Sequence, residues 1–245
     1  MLLNPTEHIQ QQLFWYGCYE KDLGELLKKM LRPNDVFIDI GGNIGYFSLL
    51  SASISPSVKV ISFEPVKDLF KKMKENFSIN DRKNIVAINA AVGEMNEQCE
   101  LFLSAPDNLG MPSFHQPENY SGRKEKVEVI AIDDWLKTSG LTKIDLIKLD
   151  IEGSELAALK GMRAVLEEQR PVLIVEVNPE TLSLFGLKPE DICNYLNQFN
   201  FDKFLISENG RLEHLNSNEI NQTVNVLLIH RGKKKEYPGL FSKIE

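Results

Sequence analysis

The sequence predicts an α/β fold with a mostly parallel, mixed sheet of about seven strands and helices on both faces. Short apolar runs typical of strands alternate along the chain with longer apolar stripes at helical spacing. Repeated strand–helix–strand units of this kind favour parallel strands covered by their connecting helices. Near the C-terminus, the hairpin dipeptide Asn209-Gly210 lies between strand-like runs and indicates antiparallel pairing.

The elements are expected in three segments of one domain, 1–245, which ends in a tail over 233–245. The first segment, 1–33, is helical, with an apolar stripe that a proline ends. The cofactor-binding core, 34–178, is expected to contain strands over 36–40, 58–63, 84–90, 144–150 and 172–177, and helices over about 44–54, 66–79 and from about 154. The last segment, 179–232, adds a helix over about 189–199 and strands over 201–207 and 224–230.

One stretch interrupts this alternation, between about 95 and 132. Two strand-like runs, 98–103 and 126–132, are expected to pair as an inserted hairpin around a long loop, 104–125. Because the loop follows the third strand, it can reach the carboxyl edge of the sheet, where ligands bind in open α/β folds. We expect a lid or substrate loop, and a mobile surface insertion is the alternative.

The composition excludes some classes of function. A formal net charge of −7 argues against a general nucleic-acid binder. The three cysteines lie far apart and form no metal-binding pattern. Neither a secretion signal nor an apolar run of transmembrane length is visible, so a cytoplasmic protein without a membrane partner is expected.

The most informative segment runs from Asp39 to Gly45, between an apolar strand and a helix. Its glycines let the backbone approach a ligand, and the helix that follows begins with free N–H groups. Their spacing differs from the Gly-x-Gly-x-x-Gly pattern of dinucleotide sites, where a pyrophosphate lies against the second glycine. Asp39 would repel a pyrophosphate but would suit a cation, such as the ammonium group of S-adenosylmethionine.

A second acid, Glu64, ends the next strand, roughly 25 residues after Asp39. A carboxylate at that place in a strand–helix–strand unit can accept hydrogen bonds from both hydroxyls of a ribose. Acids at strand ends also cap loops and helices, which is the alternative for either residue alone. The two acids with glycines between them predict a site for S-adenosylmethionine.

These residues also resemble a known family. Asp-x-Gly-x-Asn-x-Gly at 39–45, Phe-Glu-Pro at 63–65 and Ile-Lys-Leu-Asp-Ile-Glu-Gly-x-Glu at 147–155 resemble the FkbM-type methyltransferases, a branch of the class I S-adenosylmethionine-dependent enzymes. The resemblance covers roughly 18–178 and implies a Rossmann-like class I methyltransferase fold. One departure is Gly42, where the family commonly has alanine.

The resemblance implies a role for each matching residue. Around the methionine end of the cofactor it places the residues of the glycine turn, Asp39, Gly41, Gly42, Asn43 and Gly45. Glu64 would hold the ribose diol, with Phe63 beside the adenosine and Ala91 near the adenine. Asp150 and Glu152 would face the methyl group or the acceptor. The family also implies O-methylation of a hydroxyl on a sugar, polyketide or similar metabolite.

Two carboxylates and one histidine are candidates for the base that accepts the hydroxyl proton. Asp150 and Glu152 are two residues apart, so in an extended chain both point to one side and one raises the pKa of the other. With Glu176 or Asn178 they would offer oxygen ligands to Mg²⁺, but no dedicated ligand cluster is visible and no metal is expected. His115, in the long loop, titrates near neutrality, and a surface histidine without a role is the alternative.

Three functions fit this pattern. A methyltransferase acting on a small-molecule or carbohydrate substrate, without a nucleic-acid partner, is expected. A nicotinamide-dependent oxidoreductase is an alternative because Glu64 would serve either ribose, although the missing Gly-x-Gly step counts against it. The third is a cofactor-binding scaffold without catalysis.

The aromatic residues Trp15, Tyr16 and Tyr19 are expected to pack the N-terminal segment against the domain, and closure over the cofactor is the alternative.

Overall fold

The computed structural model describes residues 1–104, 114, 120–215 and 220–241. The strands of this part are β1 (Val36–Ile40), β2 (Lys59–Phe63), β3 (Ile85–Ile88), β4 (Ala91–Val92), β5 (Glu97–Ser104), β6 (Tyr120–Ile130), β7 (Leu146–Leu149), β8 (Val172–Val177), β9 (Phe201–Ser207), β10 (Arg211–His214) and β11 (Val224–His230). The helices are α1 (His8–Tyr16), α2 (Lys21–Met30), α3 (Tyr46–Ile54), α4 (Lys67–Ile79), α5 (Ile132–Ser139), α6 (Glu155–Lys160), α7 (Arg163–Glu168), α8 (Pro179–Leu184), α9 (Pro189–Asn197) and α10 (Pro238–Phe241). None of the described helices is long and apolar enough to span a bilayer.

The main sheet has eight strands in the order β10-β9-β11-β8-β7-β1-β2-β3. Strands β3, β2, β1, β7 and β8 are parallel, and β11, β9 and β10 pair antiparallel. The predicted mostly parallel, mixed sheet is therefore confirmed, including the antiparallel pairing of the runs near 201–207 and 224–230. The predicted number of about seven strands was too low, because β10 brings the main sheet to eight; β4 and the inserted hairpin form a separate three-stranded sheet, β4-β6-β5.

Strand β10 is an element that the sequence analysis missed. The turn before it contains Asn209 and Gly210, both at positive φ, 59° and 64°. These dihedrals are those of a tight hairpin turn, which Asn-Gly favours. The dipeptide therefore joins β9 to β10, and β11 reaches β9 from elsewhere in the chain.

The inserted hairpin is confirmed as β5 and β6, which pair antiparallel from Glu97–Val129 to Ser104–Tyr120. The second strand ends before the predicted boundary, because Ile132 begins α5. Most of the predicted loop, 105–113 and 115–119, lies outside the described residues. Its lid or substrate role therefore stays a prediction.

Side chains of the central strands alternate between the two faces of the sheet. On one face, residues such as Ile38 and Ile147 pack with α5, α6, α7 and α9. On the other, Phe37 and Leu146 pack with α2 and α3. The same alternation directs polar side chains of β1, β7 and β8 towards the α2 and α3 side, and this positions the site described next.

Candidate active site

A cavity of about 250 Å³ opens at the carboxyl ends of β1, β2, β7 and β8. Ligands bind at this edge in open α/β sheets. Helix α1 and the second sheet border the cavity through Ile9 and Leu101, and Phe114 also lines it. The cavity therefore lies between the main sheet and the N-terminal and inserted segments.

Most of the predicted site residues meet in this cavity. It is lined by the cofactor candidates Gly41, Gly42, Asn43, Phe63, Glu64 and Ala91, and by the catalytic candidates Asp150 and Glu152. Asp39 and Gly45 do not line it. His115 lies outside the described residues, so its role as a base stays a prediction.

The glycine turn is held against β2, since the N–H groups of Gly41 and Gly42 both donate to the Phe63 carbonyl, at 3.1 and 2.9 Å. Gly41 has φ 85°, and a Cβ there would overlap the carbonyl oxygen of Asp150. At Gly45, with φ 88°, a Cβ would overlap the Phe77 ring. These two glycines are needed because the protein itself fills the space, whereas the sequence analysis attributed them to approach of a ligand.

Gly42 is also confined by the protein. A Cβ at this position would overlap Ser62 Oγ and lie 3.0 Å from Met73 Sδ. The alanine common at this position in the family would therefore require Ser62 to move.

Glu64 is fixed at the end of β2 by two backbone groups. Its Oε2 accepts from the N–H of Asn43 and its Oε1 accepts from the N–H of Val66, both at 2.8 Å. The side chain is only 3% exposed, and burial raises its pKa to about 8 although the two N–H groups oppose this rise. Each oxygen retains the capacity to accept a second hydrogen bond, as recognition of a ribose diol requires.

Asp39 lies beneath the cavity, where it was not expected. It is 1% exposed, and its Oδ2 accepts a hydrogen bond of 2.6 Å from Ser48 Oγ of α3. Strand alternation explains this, because Asp39 follows Phe37 on the face that α3 covers. The structure does not support direct contact between Asp39 and a ligand.

Lys148, to which the sequence analysis gave no role, lies at the centre of the site. It pairs with Asp39 in the β1–β7 register, and its Nζ is 2.8 Å from Asp150 Oδ2 and 5.0 Å from the Phe47 ring centroid. The side chain is only 2% exposed. Burial alone lowers the pKa of Lys148, but Asp150, Asp39 and Glu20 raise it above its usual value. The neighbouring carboxylates therefore favour the charged form of this buried ammonium group.

Asp150 and Glu152 form an acidic cluster with Glu176 of β8. Carboxylate oxygens of these three residues lie within 4.8 Å of one another, close enough for one cation to contact all of them. Burial, followed by the charge of Asp150, raises the pKa of Glu152 to about 8 and that of Glu176 to about 10. An acid with a raised pKa is a stronger proton acceptor once it is ionised.

The two predicted catalytic acids are not in an extended segment. Asp150 follows β7, whereas Glu152 lies in a turn and has φ 55°. Glu155 shapes this turn, because its Oε1 accepts from the N–H groups of Ile151 and Gly153, at 3.1 and 3.2 Å. Both acids line the cavity through this turn and not through strand alternation.

The segment before α2 supplies two further groups: Tyr19, for which closure over the cofactor was the alternative expectation, and Glu20, for which the sequence gave no expectation. Tyr19 lines the cavity, and burial, then Glu20, raise the pKa of its hydroxyl. Glu20 accepts from Asn225 Nδ2 at 2.9 Å, and its other oxygen is buried without a hydrogen-bond partner among the described residues. No local motif marks either residue, since both reach the site through the packing of α2 on the sheet.

The expected packing role of the N-terminal aromatic residues was wrong for two of them. Trp15 is 68% exposed and Tyr16 is 78% exposed. They occupy the C-terminal turn of α1, whose buried residues are Gln10 and Leu13. Only Tyr19 turns inward.

Comparison with known proteins agrees with this geometry. Residues 39–203 match the family model described as the methyltransferase FkbM domain. The chain belongs to the FkbM methyltransferase family. It is therefore an S-adenosylmethionine-dependent methyltransferase, and the oxidoreductase and scaffold alternatives are set aside.

Individual relatives are distant but extend over most of the chain. Methyltransferase sdnD of Sordaria araneosa is 27% identical over 76% of this chain and 78% of its own. Hexuronic acid methyltransferase AglP of Haloferax volcanii is 27% identical over 73% of this chain and 68% of its own. The 31-O-demethyl-FK506 methyltransferase FkbM of Streptomyces tacrolimicus is 26% identical over 64% of this chain and 68% of its own.

The fold is shared with solved methyltransferases. The crystal structure of methyltransferase FkbM from Methylobacillus flagellatus has a TM-score of 0.53 and 20% identity, and the match covers 81% of this chain and 45% of that chain. A similarity of this strength concerns the fold alone. It confirms the predicted class I methyltransferase fold.

Proposed function

We propose that the chain binds S-adenosylmethionine in this cavity and transfers the methyl group to a hydroxyl oxygen of a sugar or another small molecule. One observation carries the proposal: Glu64 and the Asp150–Glu152 pair line the same cavity, and the glycine turn lies between them. The name of one relative gives a hexuronic acid as the molecule that is methylated, and the names of two others specify an oxygen, O31 of FK506 and a 2-O position. These names support a hydroxylated small molecule as the acceptor class.

The donor is held by residues that line the cavity. Glu64 would accept hydrogen bonds from the two ribose hydroxyls, in addition to those from its two backbone N–H groups. Phe63 and Ala91, which line the cavity, would border the adenosine, and Gly41 and Asn43 would border the methionine end. The fit rests on the second acceptor position that each Glu64 oxygen retains.

Asp39 supports the donor site from below. Its carboxylate fixes Ser48 in the first turn of α3 and lies opposite Lys148 in the sheet. Lys148 in turn holds Asp150 at 2.8 Å. We therefore assign Asp39 and Lys148 as positioning residues that orient the carboxylate at the cavity surface.

When bound, S-adenosylmethionine would supply an electrophilic methyl group: as the acceptor oxygen bonds to the methyl carbon, the bond from that carbon to sulfur would break and S-adenosylhomocysteine would leave. The residues of the chain hold that oxygen in place and remove its proton. We assign proton removal to Glu152, because its Oε2 is buried without a partner among the described residues and its pKa is about 8. Asp150, fixed by Lys148, orients the acceptor hydroxyl.

We propose that this reaction proceeds without a metal ion. The three carboxylates of the cluster match the oxygen ligands that Mg²⁺ prefers, but Asp150 is already paired with the ammonium group of Lys148. Turnover is therefore expected to persist in EDTA. Loss of turnover in EDTA and its recovery with Mg²⁺ would contradict this assignment.

The experiment that tests the proposed function is transfer of a labelled methyl group. The enzyme is incubated with methyl-labelled S-adenosylmethionine and a panel of sugars and other small molecules bearing hydroxyl, amine or thiol groups. Label on a hydroxyl oxygen, located by mass spectrometry, is the expected result. Label found only on nitrogen or sulfur, or found equally after Asp150→Asn and Glu152→Gln substitution, would overturn the proposal.

A further inference from the structure

The acidic cluster extends beyond the part of the cavity that the donor needs. Glu64 and the glycine turn follow β2 and β1, whereas Glu176 lies on β8, and β7 separates β8 from β1. Neighbouring strands are about 4.8 Å apart, so Glu176 is roughly 10 Å from β1 across the sheet. Since the proposed donor occupies the β1 and β2 side, Glu176 lies on the acceptor side.

This end of the cavity has more negative groups than positive ones. Lys148 is the lone cation among the described residues that line the cavity, and it is already paired with Asp150 and lies opposite Asp39. Glu152 and Glu176 therefore have no cation of their own in the described part of the chain.

The cluster also has an acceptor atom without a donor. Glu152 Oε2 is buried and has no hydrogen-bond partner among the described residues, and the same holds for Glu20 Oε2, which lies outside the cavity lining. Buried polar atoms are nearly always hydrogen-bonded in folded proteins, so Glu152 Oε2 is available to accept from a donor of the acceptor molecule. A protonated amine offers three N–H donors and a positive charge, whereas a carboxylate or a phosphate offers acceptors and a like charge.

Building on the function proposed above, we propose that the acceptor carries a protonated amine beside the hydroxyl that is methylated, and that Glu176 binds this ammonium group. Glu152 then receives the hydroxyl proton, and Glu20 adds negative charge behind Glu176. An acceptor with a carboxylate or phosphate in place of the amine is rejected by the same residues. Glu176 is thereby a specificity-determining residue of the acceptor site.

The titration of Glu176 agrees with this geometry. Burial raises its pKa to about 10, Asp150, Glu152 and Glu20 add to the rise, and Lys148 opposes it. A bound ammonium group stabilises the ionised carboxylate, so binding of an amine displaces a proton from the cluster. This release is a readout that a merely structural role for Glu176 would not produce.

The test compares three probes that share one sugar ring. Glucosamine, glucose and glucuronate are each titrated into the full chain saturated with S-adenosylhomocysteine, and binding is followed by NMR and by calorimetry in buffers of different ionisation enthalpy. Glucosamine is expected to bind at least about tenfold more tightly than glucose, because a hydrogen bond to a charged group contributes at least that factor. Glucuronate is expected to bind most weakly, and glucosamine alone should release protons.

Two variants make the test specific. Glu176→Gln, which keeps the side-chain volume, should reduce glucosamine binding to the level of glucose. Glu180→Gln changes an exposed position on the neighbouring helix α8 and should leave the preference for glucosamine over glucose intact. Thermal unfolding checks that both variants fold. Glucosamine binding that is no tighter than glucose binding, or a preference that survives Glu176→Gln, overturns the proposal. Failure of S-adenosylhomocysteine to bind at all would instead overturn the proposed function.

Discussion

Replacing Glu64 by alanine should weaken cofactor binding while leaving the fold intact. The substitution removes a carboxylate that, in the proposed complex, accepts from two ribose hydroxyls as well as from the N–H groups of Asn43 and Val66 at 2.8 Å. A hydrogen bond to a charged group contributes about 1.5–3 kcal/mol. The dissociation constant of S-adenosylhomocysteine should therefore rise roughly 10- to 150-fold.

Calorimetric titration of S-adenosylhomocysteine measures this change, and thermal unfolding shows whether the variant is folded. The matched control is Glu75→Ala, an exposed glutamate of the adjacent helix α4, which should bind as the unmodified chain does. The affinity of Glu64→Gln for S-adenosylhomocysteine should be intermediate, because the amide oxygen still accepts hydrogen bonds while the NH₂ group faces a backbone donor. An affinity for the Glu64→Ala variant within about threefold of the unmodified chain would refute the ribose role, since that corresponds to less than one ordinary hydrogen bond.

The pKa of Glu64, about 8 in the free protein, adds a second readout to the same experiment. If the ionised carboxylate is the form that receives the ribose hydroxyls, binding displaces a proton at neutral pH. Affinity for S-adenosylhomocysteine should then increase from pH 6.5 towards pH 8.5 at a slope that Glu64→Ala reduces. An identical pH slope in the variant would assign the titration to another group.

Three further predictions concern the catalytic acids, the glycine turn and stability. Asp150→Asn should lower turnover by at least about tenfold and change the affinity for S-adenosylmethionine little. Steady-state kinetics measures the turnover and calorimetry measures the affinity. Equal losses of turnover and affinity would mean that Asp150 only holds the donor. Gly42→Ala should lower the melting temperature, because the new Cβ overlaps Ser62 Oγ. Ser62→Ala in the same chain removes that oxygen and should restore most of the loss; a melting temperature unchanged by Gly42→Ala would contradict that packing. Folding raises the pKa of Glu152 to about 8 and that of Glu176 to about 10. The folded apo protein therefore binds more protons than the unfolded chain. Its unfolding free energy should fall as the pH rises from about 5 to 8. In denaturant titrations, the unfolding free energy of Glu176→Gln should fall less steeply with pH. An equally steep fall would show that Glu176 does not contribute to this pH dependence.

The sequence predicted the strands of the parallel core because each strand there is a short apolar run between punctuating residues. It did not predict β10, which is only four residues long and partly exposed. It predicted the inserted hairpin but not β4, which joins that hairpin in the second sheet. Pairing between strands distant in sequence depends on tertiary contacts that local patterns do not contain.

The sequence indicated which acids meet at the cavity better than how deeply each one is buried. Glu64, Asp150 and Glu152 were chosen because they follow apolar strands, and all three line the cavity, while their roles stay predictions. Asp39 was placed wrongly because its position was taken from the motif, although the alternation of β1 already puts it on the same face as Phe37. Lys148 carried a signal that went unused: a lysine inside an otherwise apolar strand is almost never buried unless it is paired.

A crystal structure of the chain with S-adenosylhomocysteine tests the central claim most directly. Both ribose hydroxyls are expected within hydrogen-bond distance of the Glu64 carboxylate, with the sulfur atom turned towards Asp150 and Glu152. A ribose away from Glu64, or a sulfur atom facing the opposite end of the cavity, would contradict it.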